Sequence, residues 1–297
     1  MIAALRRRLG AASLPGEVHS GDDTAVLLPP ASPLLFATDV AVERVHFDLA
    51  FSSPADAGWK VAVANLSDVA AMGGRPTHVV AGVAGRGTRL LEEVFEGLLE
   101  ACRAYETALV GGDLSHSEQL FLSVAILGQA PPSGAVLRSG GRPGDELYCT
   151  GPLGAAAAGL SRLRQDGRAT GRLVEAFLRP RARVREGSLA ARLGASAMID
   201  ISDGLAQDLS HLTAASGVGA ELEGVPVAEG ASEQEALSGG EDYELLFSVA
   251  PGTDVEQAFA REALAPPVRI GRLVAEPARL SLRGEPLEPR GYSHGFG

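Results

Sequence analysis

The chain holds 297 residues, with 26 lysines and arginines against 37 aspartates and glutamates, a formal net charge of −11. Apolar residues make up 45% of it, enough to bury the cores of two ordinary domains or one large one, and too many for a disordered chain. The acidic balance argues against nucleic acid and anionic membrane as partners, and Lys60, the only lysine, sits in Trp59-Lys60-Val61, outside both the Walker loop and the strand-lysine context of a protein kinase.

In chain order, Arg6-Arg7-Arg8 reads as the solvated face of an N-terminal helix, and no apolar core of a signal peptide follows it. Residues 34–37 read as a buried strand running into Thr38-Asp39. From Pro54 to Met72, the residues Trp59, Ala62, Val63, Leu66, Val69 and Ala70 recur at helical spacing, and Gly73-Gly74 supply the stop. On that helix Asn65 and Asp68 lie off the apolar stripe, three apart, and are expected to face something polar together. Lys60, two turns earlier, is expected to hold a structural or rim position.

A strand is expected at 78–84 and an amphipathic helix at 89–105. A short strand, 108–110, is expected to break at Gly111-Gly112-Asp113, with another at 119–127. Arg138-Ser-Gly-Gly-Arg-Pro-Gly-Asp145 is turn-rich and marks the expected boundary between domains of residues 1–137 and 138–297. Beyond it come a strand (146–150), helices at 154–164, 172–178 and 184–193, and a strand at 196–199. Asp200-Ile-Ser-Asp203-Gly then opens a helix to about 216. Strands follow near 220–223, 244–249 and 268–274, with a short helix at 254–263. The fold class is α/β (α+β), with strands and helices mixed in both halves. Cys102 and Cys149 form neither a disulfide framework nor a metal-ligand spacing, which fits reduced thiols and a cytoplasmic location.

Chemistry concentrates in aspartates at the ends of elements, each beside Gly, Ser or Thr: Gly21-Asp22-Asp23, Thr38-Asp39, Asn65-Leu-Ser-Asp68, Gly111-Gly112-Asp113 and Asp200-Ile-Ser-Asp203-Gly. Taken singly, the first and fourth are ordinary turns, and Asp200 or Asp203 could cap a helix. Together they point to a metal–phosphate site. Carboxylates about 4 Å apart repel by about 4 kcal/mol at an effective dielectric near 20, so converging ones raise their pKa values or bind cations. An all-oxygen donor set suits Mg²⁺.

These motifs have a recognisable order. With Val45-His46-Phe47, Arg138 to Asp145 and Ser238-Gly-Gly-Glu241-Asp-Tyr-Glu-Leu245, the chain resembles the thiamine-monophosphate kinases, relatives of aminoimidazole ribonucleotide synthetase and selenide, water dikinase. The resemblance implies two α/β domains, the N-terminal ones pairing into a homodimer, and transfer of the ATP γ-phosphate to thiamine monophosphate. It implies several Mg²⁺ ions on Asp23, Thr38, Asp39, Asp68, Asp113, Asp200 and Asp203. It also implies ATP contacts from Tyr105, Gly112, Arg138 and Ser202, and substrate contacts from His46, Glu241 and Tyr292. Neither nucleic acid nor membrane is an expected partner.

The chain departs from that pattern at Ala37, where many relatives carry Ser or Thr, and at Gly295, inserted before Phe296 near the C-terminus. Aminoimidazole ribonucleotide synthetase is the rival within the superfamily, against which Val-His-Phe argues. A metal-dependent phosphatase or a silent metal-binding protein are rivals outside it.

Overall fold

The computed structural model describes residues 17, 19, 24–29 and 31–292. The chain divides into two compact units. One comprises the described residues up to Val69 together with Arg75–Pro132, and the other comprises Ala70–Gly74 and the described residues from Ser133 onward. Each is a mixed α/β unit with a single sheet. Among the described residues, no helix is long and apolar enough to cross a membrane.

In the first unit, β1 (Leu34–Val42), β2 (Arg75–Gly85), β3 (Ala108–His116) and β4 (Phe121–Gln129) form a sheet of order β1-β4-β2-β3. β4 pairs antiparallel with both neighbours, and β2 pairs parallel with β3. Two helices, α1 (Pro54–Ala71) and α2 (Thr88–Ala104), belong to it. Strand residues alternate between faces. Leu122, Val124 and Ile126 of β4, with Val79, Ala81 and Val83 of β2, are fully buried, and a Cβ at Gly128 in the same phase would meet Val69 of α1. The other face carries Leu34, Phe36, Val40, Val80 and Phe121, all exposed, Phe36 by 70%.

α1 departs from the one-sided stripe read in the sequence. Val61, Ala62, Val63, Asn65, Leu66, Ser67 and Val69 are all buried, and in that stretch only Ala64 and Asp68 come nearer the surface. Asn65 therefore does not face a polar opening with Asp68. It is fully buried, and its Nδ2 donates back to Val61 O at 2.8 Å. The strand expected to break at Gly111 instead runs through Gly111, Gly112 and Asp113 to His116. A bulge absorbs the irregularity, since the register passes from Val79↔Leu109 to Val80↔Gly111.

The second unit holds β5 (Glu146–Cys149), β6 (Ala197–Ile201), β7 (Gly219–Leu222), β8 (Glu244–Val249), β9 (Val268–Val274), β10 (Leu280–Leu282) and β11 (Glu285–Pro286), ordered β11-β10-β7-β9-β5-β8-β6. Its helices are α3 (Ala155–Gln165), α4 (Arg172–Leu178), α5 (Val184–Arg192), α6 (Leu205–Ser216), α7 (Glu233–Ser238) and α8 (Val255–Arg261). Every residue of β6 and β8 is buried, so both faces of these strands are covered, the polar Asp200, Glu244 and Ser248 included. One face packs Ile199, Ile201 and Leu246 against Leu205, Leu209 and Leu212 of α6. The other packs Met198, Leu245, Phe247 and Val249 against Leu189 of α5 and Phe259 of α8. The short elements α7, β10 and β11 were not legible in the sequence.

Candidate active site

In the first unit the acidic positions lie in adjacent rows across the sheet. Asp39 pairs with Val124, Val124 with Ala81 and Ala81 with Gly112, while Asp113 lies opposite Gly82. Because Val124 is buried, Asp39 points to the same, helix-covered side, the side of the sheet that α1 and its Asp68 occupy. Thr38 and Asp113 point to the open face. The expected ligands are thus divided between two faces. β1 and β3 are also opposite edges of the sheet, three strand spacings or about 14 Å apart measured along it. One ion cannot touch both Asp39 and Asp113 across that distance. Thr38 Oγ1 donates to Val124 O at 2.9 Å, which ties its side chain to the neighbouring strand.

Gly112 has a steric reason. A Cβ there would stand 2.0 Å from Ala81 O, whereas at Gly111 nothing lies within 4 Å. Tyr105, at the C-terminus of α2, precedes β3, whereas Asp113 is five residues into that strand, about 16 Å along it from Ala108. The unit does not bring these two together.

His46 sits in a tight turn after β1. Arg44 has φ 67°, and the amides of Val45 and His46 both donate to Val42 O. Val42 N donates to His46 Nδ1 at 3.1 Å. A ring nitrogen accepting a backbone N–H carries no proton, so in the neutral imidazole the proton is on Nε2.

The second unit gathers five of the expected residues around one backbone loop. Asp200, the penultimate residue of β6, is buried; Ser202 and Asp203 follow the strand. Asp208, inside the first turn of α6, holds the segment that leads into the helix: its Oδ2 accepts from Ser202 N, Asp203 N and Gly204 N at 3.0, 3.0 and 3.1 Å. The carbonyls are tied as firmly. Ile201 O accepts from Tyr243 N, Ser202 O from Glu241 N and Asp203 O from Tyr292 N, at 2.9, 2.8 and 3.0 Å. Every backbone polar group from Ile201 O to Gly204 N is therefore engaged, and the backbone fixes where Ser202 and Asp203 project. Gly240 and Gly291 permit the approach, since a Cβ at either would stand 2.3 Å from Ser202 O or 2.6 Å from Asp203 O. Arg138 is exposed beside β6, where Leu137 O accepts from Met198 N, two residues before Asp200. Asp23 and Phe296 lie outside the described residues.

The same order of motifs recurs in known proteins. Residues 21–130 match the family of the AIR synthase related protein N-terminal domain, and residues 142–282 that of its C-terminal domain. The thiamine-monophosphate kinase of Synechococcus elongatus is 35% identical over 92% of this chain and 90% of its own. The crystal structure of thiamine-monophosphate kinase from Stenotrophomonas maltophilia K279a superimposes with a TM-score of 0.86, at 32% identity over 96% of both chains. A structure of AaThiL complexed with AMPPCP and TMP gives 0.80 at 30% identity, covering 99% of this chain and 95% of that one.

The chain belongs to the thiamine-monophosphate kinase family.

Sequence reasoning missed several residues of this thiamine-monophosphate kinase relative's second unit. Asp208 left a signal: it lies among the apolar positions Leu205, Leu209 and Leu212 of α6, where a carboxylate is out of place without buried partners. Burial pushes its carboxyl up to about 7, and the charges of Asp200 and Asp203 add to the rise against the pull of the amides. Asp242 caps α3, accepting from Gly154 N at 2.6 Å and Ala156 N at 3.1 Å, and burial lifts it to about 7 as well. Glu244 accepts from Thr150 Oγ1 at 2.6 Å and from both Nε and Nη2 of Arg183. Together Arg183, Asp242 and Glu244 line a cleft of about 250 Å³ with Arg172, Arg179 and Arg181.

The donors present suit the magnesium that the family resemblance implies. Thr38, Asp39, Asp68, Asp113, Asp200 and Asp203 offer only oxygen, the preference of a hard cation. Among the described residues, Asn65 Oδ1, buried three residues before Asp68, has no hydrogen-bond partner, an unsatisfied buried oxygen apart from the opening at Asp68.

Proposed function

We propose that the protein transfers the γ-phosphoryl group of ATP to the phosphate of thiamine monophosphate, giving thiamine diphosphate and ADP by direct in-line displacement. The bond from Pγ to the β–γ bridging oxygen breaks as a bond from an acceptor phosphate oxygen forms. The observation that carries this reading is the 201–204 loop. It holds Asp200, Ser202 and Asp203 beside Glu241 and Tyr292, through six backbone hydrogen bonds to Asp208, Glu241, Tyr243 and Tyr292. The names of the relatives, and the AMPPCP and TMP held by the AaThiL structure, support it.

In this reading Glu241, Tyr292 and His46 bind thiamine monophosphate. Tyr105, Gly112, Arg138 and Ser202 bind ATP. Asp23, Thr38, Asp39, Asp68, Asp113, Asp200 and Asp203 hold several Mg²⁺ ions, which when bound neutralise the converging phosphates. The acceptor is already an anion, so positioning and charge stabilisation suffice and no strong general base is required. Residues 1–137 form the metal- and ATP-binding, dimerising domain, and residues 138–297 complete the nucleotide and substrate site.

The homodimer belongs to the same proposal. The open face of the first sheet exposes Leu34, Phe36, Val40, Val80 and Phe121 together, an apolar surface suited to burial against a second copy. A partner copy would also supply a route for Tyr105 and Asp113 to meet one nucleotide from different chains. The location proposed is the cytoplasm.

Incubation with MgATP and thiamine monophosphate tests the activity. The expected products are thiamine diphosphate and ADP in equal amounts. Thiamine with free phosphate would instead identify a phosphatase, and no reaction would end the kinase reading. Asp39→Asn and Asp113→Asn should each nearly abolish turnover with folding intact.

A further inference from the structure

Outside the oxygen-donor positions, the described residues of the first unit contain one cluster of a different chemistry. Glu17 and His19 are buried, at 8% and 6% exposure, and His78 of β2 lies against them. His19 Nε2 is 3.1 Å from Glu17 Oε2, and His78 Nε2 is 3.8 Å from the same oxygen. The two rings meet edge to face with centroids 5.7 Å apart. One donor atom from each of the three residues lies within 4.8 Å of the others. We propose that Glu17, His19 and His78 form a binding site for a divalent transition metal of the zinc type, separate from the magnesium ligands.

Three observations carry this. The first is donor chemistry. Two imidazoles and one carboxylate form a set that suits zinc, and the nitrogen ligands discriminate against Mg²⁺. The second is spacing. Ligands about 2.0–2.1 Å from a tetrahedral ion stand about 3.3 Å from one another. The observed 3.1 and 3.8 Å bracket that value, so small movements of the side chains admit the ion. Without metal the shorter contact is a hydrogen bond and the longer an ion-pair contact, so an ion bound here replaces both with coordination bonds. The third is support from behind. Glu17 Oε1 accepts from Leu28 N at 3.3 Å, which orients the carboxylate and leaves Oε2 toward the histidines. Three protein ligands leave the fourth position to water.

The consequence is structural. His78 belongs to the centre of the sheet, pairing with Ala108 of β3 and Leu127 of β4. A metal here pins the chain at Glu17 and His19 to that strand, four residues before Asp23 in sequence. The proposal concerns metal binding alone and stands independently of the phosphoryl-transfer reading.

The test uses the full-length protein, stripped of metal by dialysis and held in a large excess of Mg²⁺ so that the all-oxygen sites are occupied. Zn²⁺ is added in competition with a chromophoric chelator. One equivalent should bind, and the affinity should fall at least about tenfold in His78→Gln and in His19→Gln. No uptake by the wild-type protein, or uptake unchanged in both variants, overturns the site. X-ray absorption on the zinc-loaded wild type gives an answer that depends on no variant folding. Two imidazole ligands support the proposal, and an all-oxygen shell refutes it.

Discussion

Lys60 Nζ donates a hydrogen bond of 3.3 Å to the main-chain carbonyl of His46. The chain's only lysine is thus buried, at 6% exposure, on α1, and holds the turn that presents a proposed substrate ligand. Lys60→Met keeps most of the aliphatic stem and removes this donor. A hydrogen bond to a charged group contributes about 1.5–3 kcal/mol, and losing a buried charge offsets part of it, so stability should fall by less than about 2 kcal/mol. The expected kinetic signature is a several-fold rise in KM for thiamine monophosphate with KM for ATP unchanged. Equal changes in both would mean that Lys60 does not act through His46.

Asp208 is the hub of the 201–204 loop, and its two oxygens divide the consequences of substitution. Asp208→Ala strands three amides in a buried place, each costing about 1–3 kcal/mol if left unpaired. Turnover should fall by at least a hundredfold, with the half-saturating Mg²⁺ concentration rising. Asp208→Asn retains one carbonyl oxygen able to replace Oδ2, the only one the three amides use, and should restore much of the activity. An alanine variant as active as the asparagine one would remove Asp208 from any positioning role.

The two glycines before Asp113 are separable. Gly112→Ala places a Cβ against Ala81 O, a clash between backbones of paired strands that neither can avoid by a rotamer change. Gly111→Ala meets open space. The first should lower the unfolding free energy by more than about 2 kcal/mol and abolish turnover; the second should fold normally. Urea titrations of the pair decide it. If both behaved alike, close strand approach would not be the reason for Gly112.

These cases mark what could be read from the sequence. The long elements and both α/β units were legible because α2 and the buried strands carry strong periodicity or continuous apolar runs. The segments of the second unit's candidate site were also marked in the sequence, since Asp-Ile-Ser-Asp-Gly, Gly-Gly-Glu and Gly-Tyr, which meet there, are short and glycine-marked. Asn65 was misread because periodicity assumes one buried face, and α1 is buried nearly all round. The strand through Gly111 to Asp113 was missed because glycines that signal a turn also allow a bulge and a close strand approach. Glu17, His19 and His78 gave no signal: the two segments are about 60 residues apart and meet only in the folded chain.

The apolar face of the first sheet gives a prediction about assembly. Phe36 is 70% exposed at the third residue of β1, an edge strand. A charge there cannot be buried against a second apolar face without a penalty of several kcal/mol. Phe36→Asp should therefore convert the dimer to monomer in sedimentation equilibrium, with the unfolding midpoint of the monomer itself little changed. Because Phe36 is not itself a proposed ligand, activity lost with the dimer and regained on reassociation would show that each site draws on both chains. A wild-type protein that sediments as a monomer would end the dimer proposal.

Asp242 makes stability depend on pH in a stated direction. Its carboxyl ionises near 3.8 ordinarily and at about 7 when folded, because burial outweighs the amides of Gly154 and Ala156. Between those values the unfolded chain has released a proton that the folded chain retains, so rising pH favours unfolding. The contribution is whole below about 3.8, declines by up to about 1.4 kcal/mol per pH unit and is gone above about 7. Asp242→Asn is neutral throughout and lacks this dependence. The wild-type minus variant difference in unfolding free energy, from urea titrations at half-unit steps, should therefore fall between pH 4 and 7 and be level above that. A difference flat across the whole range would show that Asp242 is ionised in the folded protein, with the α3 amides holding it as a carboxylate.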